Sequence, residues 1–566
     1  LARRLPTYMR EIEDDKPAKG MSQTATVKEI SWADEQQFDG EKPTLIHLAG
    51  DTLWLSRNSQ SAAKTNLSTI DASVWRSLEF VPVVAYDLKA LYHAAHEQGV
   101  ELKFDVAHDV RQAAFLINPL ERDRSLAALT AADETDELAV IAGLWQRYNE
   151  QCDAFEHEPK IAAIAHELDF PLTYVLYQME KRGMAIDPAK LAAMSKDLAA
   201  EYQAVEQEMY TMVGHEFNIG SPAQLSEVLF TKLQLPTAGI KKGKTGYSTG
   251  QKELNKLRGQ HPIIELIERA RELAKMQNTY VDALPKLADS HNRLHTTFNQ
   301  DVASTGRLSS TSPNLQNIPI RSELGRKIRK AFVPAQGNVF VSADYSQFEL
   351  RLAAVLAHDE PMINDFNGDT DIHTKTASQV YKIPMDDVTK NQRRAAKVIN
   401  FGVLYGMSPH GLAAAANMSF VEAKKFIDEY FELRKPIREY LDATLEKAET
   451  EGYVETYFGR RRPTPDVKST NFMVREGAKR AAMNMPIQGT EADLMKRAML
   501  RVEEKLQSVD GAQQILQIHD SILVETPRDK AEQVTEILRE TMESIAPELP
   551  IKLKVDVSTG NDWSEV

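Results

Sequence analysis

The apolar residues of this chain follow two different rhythms, and the change between them divides the sequence. Up to about residue 158, short apolar runs of strand length, such as 81–84, alternate with helix-like segments, such as 88–96. From Ile161 onward apolar residues recur at helical spacing, and Gly183 suits the C-terminal end of the first such helix. The pattern predicts a small α/β domain over residues 1–158, followed by a larger domain over residues 159–566.

The larger domain combines long helices with a few strands. In chain order, its patterns predict amphipathic helices over 186–290, loops leading to a strand over 291–350, helices over 352–500, and strands over 513–526 and 549–557. A stretch rich in lysine and glycine, residues 239–250, interrupts the first group of helices. We therefore expect a mixed α/β protein with several domains, as its length of 566 residues also suggests.

The composition is that of an ordinary globular protein, with 42% hydrophobic and 27% charged residues. The sequence has no run of about 18 or more uncharged apolar residues, so we expect no membrane span. The single cysteine, Cys152, excludes an internal disulfide and a cysteine metal cluster. The chain begins at Leu1 rather than at a methionine, as expected of a fragment or a processed form.

The net charge of −14 argues against a protein that binds DNA with its whole surface. DNA responds to the local field, however, so a DNA-binding protein of this charge needs clustered cations. The candidates are the loop with Lys241, Lys242 and Lys244, the segment 390–397, and the run 460–462 of three arginines. Such contacts grip phosphates without specifying sequence, and they make binding dependent on salt.

Two aspartates accompany apolar runs that are typical of buried strands. Asp344 ends the run 337–344, and Asp520 lies at the turn of a predicted hairpin over 515–524. A carboxylate beside a buried run is costly unless a cation pairs with it. Two such groups could share a pair of Mg²⁺ ions about 3.5–4 Å apart, as phosphoryl transfer requires. Considered alone, each aspartate is better explained as an ordinary turn residue.

A predicted helix over 390–406 carries a stripe that suits a nucleotide. Arg393, Lys397, Phe401 and Tyr405 are four residues apart and therefore share one slanted helix face. The two cations suit phosphates, Phe401 suits the sugar and Tyr405 suits the base pair. The alternative is a solvated basic face followed by aromatic residues of the core.

Six sequence blocks resemble the signature motifs of the family A DNA polymerases. They are, in the order that this family has, TGRLSSTSPNLQNIPIR (305–321), ADYSQFELR (343–351), DIH (371–373), RRAAKVINFGVLYG (393–406), KRAAMNMPIQGTEADLMKRAM (479–499) and IHDSILVE (518–525). The resemblance covers about residues 160–566. The first 158 residues show a fainter resemblance to the RNase H-like 3′→5′ exonuclease-type domain of the family.

The resemblance implies a right-hand architecture beside that exonuclease-type domain. It implies a thumb over about 186–290, a palm over about 291–355 and 476–566, and fingers over about 356–475. The implied activity is template-directed 5′→3′ primer extension with dNTPs in DNA replication and repair, with two Mg²⁺ ions that Mn²⁺ can replace. The implied partners are primer–template DNA and dNTPs, and we expect a monomer in the cytoplasm, at the bacterial nucleoid.

The resemblance also assigns roles to individual residues. The metal ligands would be Asp344, Asp520 and the backbone carbonyl of Tyr345, and the catalytic residues would be Asp344, Asp520 and Lys397, which could protonate the leaving pyrophosphate. The implied dNTP contacts are Arg393, Lys397, Phe401, Tyr405, His373, Gln347 and Glu349. The implied DNA contacts are Arg307, Asn314, Gln316, Arg480, Asn484, Gln488, His519, Lys241, Lys242 and Lys244.

Some of these roles bear on the choice of nucleotide. Glu349 would close the pocket beneath the sugar and exclude a 2′-hydroxyl, and Tyr405 would support that gate. Phe401 in place of tyrosine would disfavour dideoxynucleotides. Arg307 and Gln488 belong to a set that would read minor-groove acceptors, which every correct base pair presents.

The chain departs from the family pattern at several positions. Ser521 stands where glutamate is usual, which removes a carboxylate near the metals, and Phe348 stands where isoleucine is common. In the N-terminal region, the strand 43–50 lacks the carboxylates of a working exonuclease, and Leu91 stands where an aspartate is expected. The motif Asp39-Gly40-Glu41 precedes that strand. We therefore predict a vestigial exonuclease domain without proofreading.

Three other functions remain open at this point. A single-subunit RNA polymerase would share the metal aspartates, although Glu349 and the TGRLSS block argue against it. A DNA-binding homologue with impaired catalysis is conceivable because of Ser521, although Asp344, Arg393 and Lys397 are intact. An exonuclease is disfavoured by the missing carboxylates.

Overall fold

The N-terminal part of the protein is a six-stranded sheet with helices on both faces. The computed structural model describes residues 27–32, 42–243, 246–320 and 322–566. The strands are β1 (Lys28–Glu29), β2 (Thr44–Ala49), β3 (Thr52–Asn58), β4 (Ser61–Asn66), β5 (Pro82–Ala85) and β6 (Asp105–Asp109), in the spatial order β1-β4-β3-β2-β5-β6. Strands β2, β5 and β6 are parallel, whereas β2, β3 and β4 form an antiparallel meander.

Alternation along the strands explains why both faces of this sheet are covered. Ile46 packs on one face with Leu88 and Leu91, whereas Leu45 packs on the other with Val140. The helices are α1 (Ala72–Ser77), α2 (Leu88–Glu97), α3 (Val110–Ile117), α4 (Leu126–Thr130) and α5 (Glu137–His157). The strand and the helix predicted near residues 81–96 are confirmed by β5 and α2.

A bent helical segment leads from this region into the rest of the chain. It consists of α6 (Pro159–Ile164), a widened turn over Ala165–Asp169, and α7 (Phe170–Arg182), followed by strand β7 (Met184–Ala185). Gly183 ends α7, as predicted, with a φ of +60°. A side chain at this position would come within 2.7 Å of the carbonyl oxygen of Leu294, so only glycine fits.

Two long helices form an elongated arm after this segment. The elements, in chain order, are α8 (Pro188–Val213), α9 (Pro222–Ser226), β8 (Lys242–Gly243), β9 (Gly246–Tyr247), α10 (Gln251–Leu257), α11 (Ile263–Met276), α12 (Leu284–Leu287), β10 (Arg293–Leu294), β11 (Thr297–Asn299) and β12 (Ser309–Thr311). Helices α8 and α11 pack together, and the far end of the arm buries its own cluster around Met209 and Ile264. The predicted interruption at 239–250 contains the short hairpin β8–β9.

A four-stranded antiparallel sheet lies at the centre of the molecule. Its strands are β13 (Asn338–Tyr345), β16 (Gln513–Ile518), β17 (Ser521–Pro527) and β18 (Val555–Gly560), in the order β16-β17-β13-β18, and a separate hairpin is formed by β14 (Tyr453–Glu455) and β15 (Arg461–Pro463). The hairpin predicted over 515–524, within the strands predicted over 513–526, is confirmed by β16 and β17. The strand predicted over 549–557 is wrong in its bounds. The alternating residues Leu549, Ile551 and Leu553 are buried in an irregular segment that precedes β18.

Helices surround this sheet, as the pattern over 352–500 predicts. They are α13 (Glu323–Arg329), α14 (Phe348–Leu356), α15 (Glu360–Asn367), α16 (Ile372–Tyr381), α17 (Lys390–Leu404), α18 (Pro409–Ala416), α19 (Phe420–Leu433), α20 (Lys435–Thr450), α21 (Phe472–Leu506) and α22 (Ala531–Glu543). Helix α17 ends two residues earlier than predicted, because Met407 donates back to the carbonyl of Gly402 at 2.9 Å and Gly406 has a φ of +63°. The mixed α/β class is confirmed. Within the described residues, no helix is both long and apolar enough to cross a membrane.

A buried cluster of four charges ties these parts together. Arg460 donates to Asp169 at 2.9 Å and to Asp493 at 2.7 Å, and Lys496 donates to Asp169 at 2.8 Å. All four side chains are at most 3% exposed. Burial alone would raise the pKa of Asp169, but the charges of Arg460 and Lys496 outweigh that effect and hold it to about 2. The cluster joins the segment before α7 to α21.

The same cluster corrects one expectation about DNA binding. The arginines at 460–462 were expected to supply cations to DNA, but all three are engaged within the protein. Arg460 is buried, Arg461 pairs with Glu158 at 2.5 Å, and Arg462 donates to the hydroxyl of Ser304 at 3.0 Å. A run of arginines in the sequence does not reveal which of them are buried or bound to distant segments of the chain.

We predict that Arg460→Met destabilises the fold by about 3–5 kcal/mol, because it leaves two buried carboxylates without their main partner. The free energy of unfolding from denaturant titration measures this change. The exposed pair Glu323–Lys327 offers a control, and Glu323→Gln should change stability little. If both variants lost the same free energy of unfolding, the stabilising effect could not be attributed to the burial of the Arg460 cluster.

The cluster also predicts a dependence on pH. The pKa of Asp169 lies below its ordinary value of 3.8, so its stabilising effect is complete above that value and is lost as the pH falls toward about 2. Asp169→Asn should therefore flatten the decline of stability between pH 4 and pH 2, although it lowers stability at neutral pH. An unchanged slope in that window would show that Asp169 does not titrate with the fold.

Candidate active site

The central sheet brings the two predicted metal ligands together. Asp344 is the seventh residue of β13, directly opposite Ser521 in the first position of β17. Asp520 and His519 form the two-residue turn between β16 and β17, in which His519 has a φ of +51°. The backbone nitrogen of Tyr345 donates to the carbonyl oxygen of Asp520 at 3.1 Å. Strand pairing therefore fixes the distance between the two aspartates.

The two carboxylates perturb one another. They are close enough to share a hydrogen bond when one is protonated. The pKa of Asp344 is raised to about 7, first by loss of solvent at the base of the cleft and then by the negative charge of Asp520. Burial also raises the pKa of Asp520. Two adjacent anions without a counter-ion are unfavourable, and a divalent cation between them would remove that cost.

The donor set fits Mg²⁺ in one particular way. Among the described residues, no group of three or more His, Cys, Asp and Glu side chains is arranged to hold a metal. Mg²⁺ prefers oxygen ligands and is commonly held by one or two carboxylates together with substrate phosphates. Asp344 and Asp520 provide the carboxylates, so this pair suits an ion that also binds a nucleotide.

A third carboxylate lies beside the pair, although the sequence did not single it out. Asp556 of β18 is directly opposite Asp344, on the other side from β17, and accepts a hydrogen bond from the hydroxyl of Ser346 at 2.6 Å. Its charge contributes to the raised pKa of Asp344. Ser521, by contrast, donates to the carbonyl of Ile518 at 2.9 Å within its own hairpin. The position of Asp556 beside the site becomes apparent only from the pairing of β18 with β13.

The aspartates lie at the floor of a cleft of about 1130 Å³. Most of the residues predicted to hold metals and nucleotide line this cleft, together with two of the predicted DNA contacts. They are Arg307, Asp344, Tyr345, Gln347, Glu349, His373, Arg393, Lys397, Phe401, His519 and Asp520. The chain positions of these residues span more than 200 residues, so the fold assembles them from distant segments.

Helix α17 forms the opposite wall of the cleft. Arg393, Lys397 and Phe401 line it from one face of the helix, as the spacing predicts. Arg393 donates to Asp371 through its Nε atom at 2.8 Å, and Lys397 is exposed. Asp371 is the N-cap of α16, so this ion pair also connects the two helices. The alternative of a plain solvated basic face does not describe this arrangement, because the stripe faces the carboxylates.

His373 is held as a neutral hydrogen-bond donor. Its side chain is buried, and Asn400 donates to its Nδ1 atom at 3.0 Å. Burial, followed by the charge of Arg393, lowers the pKa of His373 to about 4. The ring proton therefore resides on Nε2, which leaves a donor without the charge of an imidazolium. Asn400 lies inside a quoted sequence block, but spacing alone did not mark it.

A chain of hydrogen bonds connects the predicted sugar gate to Arg307, one of the predicted DNA contacts. The hydroxyl of Tyr405 donates to Glu349, and the Nη2 atom of Arg307 donates to Glu349 at 2.6 Å and to Glu491 at 2.7 Å. The spacing placed Tyr405 on the same helix face as Phe401, but Tyr405 lies one residue beyond the end of α17 and does not line the cleft. Burial and the neighbouring Glu349 raise the pKa of the Tyr405 hydroxyl, which keeps it protonated as a donor. Glu491 was not predicted.

The predicted DNA contacts fall into separate places. Arg480, Asn484 and Gln488 are four residues apart on α21 and approach the end of α17, where Gln488 hydrogen-bonds to Tyr405 and the side-chain amide of Asn484 lies 2.7 Å from the carbonyl oxygen of Leu404. These side chains do not line the cleft itself.

Two further predicted DNA contacts lie near the central sheet, and two lie in the arm. Gln316 donates to the carbonyl of Gln517 at 3.1 Å, and Asn314 accepts from Ser310 at 3.1 Å. Lys241 and Lys242 are exposed at the β8–β9 hairpin, away from the cleft. Lys244 lies outside the described residues.

The N-terminal sheet places its carboxylates in structural roles. Leu91 is a buried core residue of α2, and no carboxylate lies on β2. Asp109 accepts from the backbone nitrogens of Leu88 and Gln112, and Arg111 joins Asp87 to Asp301 at 3.0 and 2.9 Å. Asp39 and Glu41 lie outside the described residues.

Known proteins resemble this chain in sequence. Its residues 188–565 match the family model described as DNA polymerase family A. "DNA polymerase I, thermostable" of Thermus thermophilus is 44% identical over 485 residues, which are 85% of this chain and 57% of that protein. "DNA polymerase I" of Geobacillus stearothermophilus is 40% identical over 521 residues, 86% of this chain and 59% of that protein. The chain thus spans somewhat more than half the length of these relatives.

A solved structure resembles the chain over nearly its whole length. The POL domain of Pol1 from M. smegmatis, in complex with DNA primer-template and dNTP, superposes with a TM-score of 0.85 at 32% identity. The match covers 94% of this chain and 97% of that one. Because the family match spans more than half of the chain and includes every residue that lines the cleft, this chain belongs to DNA polymerase family A.

Proposed function

We propose that this protein is a template-directed DNA polymerase that extends a primer with dNTPs. The observation that carries the proposal is the pair Asp344 and Asp520 on the floor of a cleft whose opposite wall presents Arg393 and Lys397. Acidic groups that bind cations and basic groups that bind phosphates are what phosphoryl transfer needs on its two sides. The names of the relatives, and the primer-template and dNTP in the M. smegmatis neighbour, support the same activity.

In this mechanism the two aspartates would hold the cations and orient the reacting groups. A pair of Mg²⁺ ions, which Mn²⁺ could replace, would lower the pKa of the primer hydroxyl and neutralise charge on the leaving phosphates. The backbone carbonyl of Tyr345, which follows Asp344 on β13, is the third ligand that we propose. The chain's own contribution is a fixed spacing between its carboxylates, which strand pairing sets before any ligand arrives.

The other wall would bind the triphosphate. We assign the phosphates to Arg393, Lys397 and the Nε2 donor of His373. The sugar falls to Phe401 and the base pair to Tyr405, with Gln347 as a further dNTP contact. Arg393 would exchange Asp371 for phosphate oxygens, since both are anionic partners for one guanidinium. Lys397, which is exposed to the cleft, is our candidate for the proton given to pyrophosphate.

Glu349 would select against ribonucleotides. Both of its carboxylate oxygens are already held, one by Tyr405 and the other by Arg307. A carboxylate fixed at two points cannot turn aside to admit a 2′-hydroxyl. This proposal favours a DNA polymerase over the single-subunit RNA polymerase alternative.

Primer–template DNA would lie across the sheet and the arm. We propose that Arg307, Asn314, Gln316, Arg480, Asn484, Gln488 and His519 contact the duplex near the primer end, and that Lys241, Lys242 and Lys244 grip its phosphates further away. The exposed lysines of the β8–β9 hairpin supply a local positive charge that the net charge of −14 conceals. We propose a monomer that acts in DNA replication and repair at the bacterial nucleoid.

The N-terminal region would support the fold without proofreading. Its domain would end near residue 158, ahead of a thumb, palm and fingers with the bounds given by the sequence. The absence of a carboxylate on β2 and the structural engagement of Asp87 and Asp109 favour this role.

We predict that Asp520→Ala lowers the rate of primer extension at least about 10³-fold, because it removes half of the carboxylate pair that holds the cations. Primer–template affinity should stay within severalfold of wild type. Single-nucleotide incorporation and fluorescence anisotropy with labelled duplex measure the two quantities.

Ser521→Ala is the matched control for that variant, because Ser521 is the adjacent residue and donates only to its own hairpin. It should retain most of the activity. Wild-type protein that binds duplex but fails to extend it with Mg²⁺ or Mn²⁺ would support the alternative of a catalytically impaired homologue.

For the wall opposite the carboxylates, Lys397→Ala should lower kcat/KM for dNTP by about 10- to 100-fold, the effect of losing one charged contact to phosphate. Lys425→Ala removes an exposed lysine of α19 and should leave kcat/KM unchanged. Steady-state incorporation kinetics at varied dNTP concentration provide the comparison. Equal effects of both variants would argue that only net charge matters.

Because the N-terminal region is proposed to lack exonuclease activity, we predict that the protein does not shorten single-stranded DNA with a 5′ label in the presence of Mg²⁺ or Mn²⁺. Gel electrophoresis after prolonged incubation without dNTPs measures this. Shortening that persists in Asp520→Ala protein would arise outside the polymerase cleft, and it would contradict the proposed loss of proofreading.

A further inference from the structure

Glu491 is a buried carboxylate at the edge of the cleft with no role assigned so far. It lies in the middle of α21, its side chain is 2% exposed, and it nevertheless contributes to the cleft lining. Burial, together with the charges of Glu349 and Asp520, raises its pKa to about 8, which the nearby Arg307 opposes. A carboxylate in this setting is unfavourable unless its partner is well placed.

The partner of Glu491 is the same nitrogen atom that contacts the sugar gate. Nη2 of Arg307 donates to Glu349 at 2.6 Å and to Glu491 at 2.7 Å. The Nε atom of Arg307 is buried and has no hydrogen-bond partner among the described residues. The guanidinium is therefore held through its outer end, between two carboxylates that come from α14 and α21.

The hydrogen bonds continue from Arg307 through Glu349 to Tyr405, the residue that follows the end of helix α17. One oxygen of Glu349 accepts from Arg307, and the other accepts from the hydroxyl of Tyr405. Four side chains from four segments thus form one line, in the order Glu491, Arg307, Glu349, Tyr405. The orientation of Glu349 depends on where Arg307 lies, and Glu491 supplies the second point that fixes Arg307.

On the basis of the function proposed above, we propose that Glu491 is a positioning residue of the sugar pocket. It holds Arg307 against Glu349, and Arg307 in turn holds the carboxylate that excludes a ribose 2′-hydroxyl. Without Glu491, the guanidinium of Arg307 is free to reorient, and it can stay with Glu349 or turn towards the DNA. The gate then loses its fixed orientation, and ribonucleotides enter more readily.

A merely structural role for Glu491 makes a different prediction, and the same helix provides the comparison. Glu503 also lies on α21, is 10% exposed, and pairs with Arg182 at 2.5 Å, but it does not line the cleft. Removal of either carboxylate disturbs a buried ion pair of one helix. Only removal of Glu491 disturbs the line that ends at Tyr405.

The test compares Glu491→Ala, Glu491→Gln and Glu503→Gln with wild type. The measured quantity is the ratio of kcat/KM for a dNTP to that for the matching rNTP, on one primer–template. Glu491→Ala should lower the ratio about tenfold, as expected when a charged hydrogen bond no longer orients the gate. Glu491→Gln should lower it less, because the amide oxygen still accepts from Arg307. Glu503→Gln should leave the ratio unchanged.

Melting temperatures, measured on the same preparations, separate folding from positioning. A folded Glu491→Ala protein that extends with dNTPs at the wild-type ratio overturns the proposal, and so does an equal loss of dNTP and rNTP incorporation. If the alanine variant does not fold, the glutamine variant decides, since an unchanged ratio there overturns the proposal and a lowered ratio supports it. Failure of wild-type protein to extend any primer would instead contradict the proposed polymerase function itself.

Discussion

The register between β13 and β17 is the constraint on which the rest of the site depends. Because side chains alternate between the two faces of a strand, a slip of one residue would turn Asp344 away from the cleft and into the core. The apolar residues of these strands, such as Val341, Phe340 and Val524, oppose that slip, since all three are buried in the hydrophobic core. The hydrophobic pattern thus fixes where two negative charges meet. The burial of the core offsets the electrostatic cost of holding them together.

Two of the cations around this pair, both arginines, are held by anions of the protein itself. Arg393 contacts Asp371, and Arg307 contacts Glu349 and Glu491. Each of these two guanidinium groups, which we propose to meet a phosphate or a DNA base, therefore has a protein partner that resembles the ligand in charge. Binding exchanges one anionic partner for another, which preserves the orientation of the guanidinium groups before substrate arrives and reduces the ordering that binding requires. The same logic applies to His373, whose tautomer Asn400 sets in advance.

Sequence patterns predicted the parts of the site that depend on local spacing. The hairpin that presents Asp520 and the stripe of Arg393, Lys397 and Phe401 follow from periods of two and four residues, and both lie where the sequence placed them. Asp556, Glu491 and Asn400 were missed, because their importance arises from contacts across distant segments. Arg460 and the strand expected over 549–557 departed from expectation for the same reason. Burial against remote partners, rather than local pattern, decided the outcome in both cases.

The central claim is that the carboxylates of Asp344 and Asp520 together hold divalent cations in a complex with DNA and nucleotide. The most direct measurement counts Mn²⁺ ions bound per chain by electron paramagnetic resonance. The sample contains a primer–template with a 3′-dideoxy end and the matching dNTP, and dNTP without protein is the blank. We expect two protein-dependent ions in the wild-type complex and loss of both in the double variant Asp344→Asn, Asp520→Asn, with DNA still bound. Equal Mn²⁺ binding by the two proteins would contradict the claim.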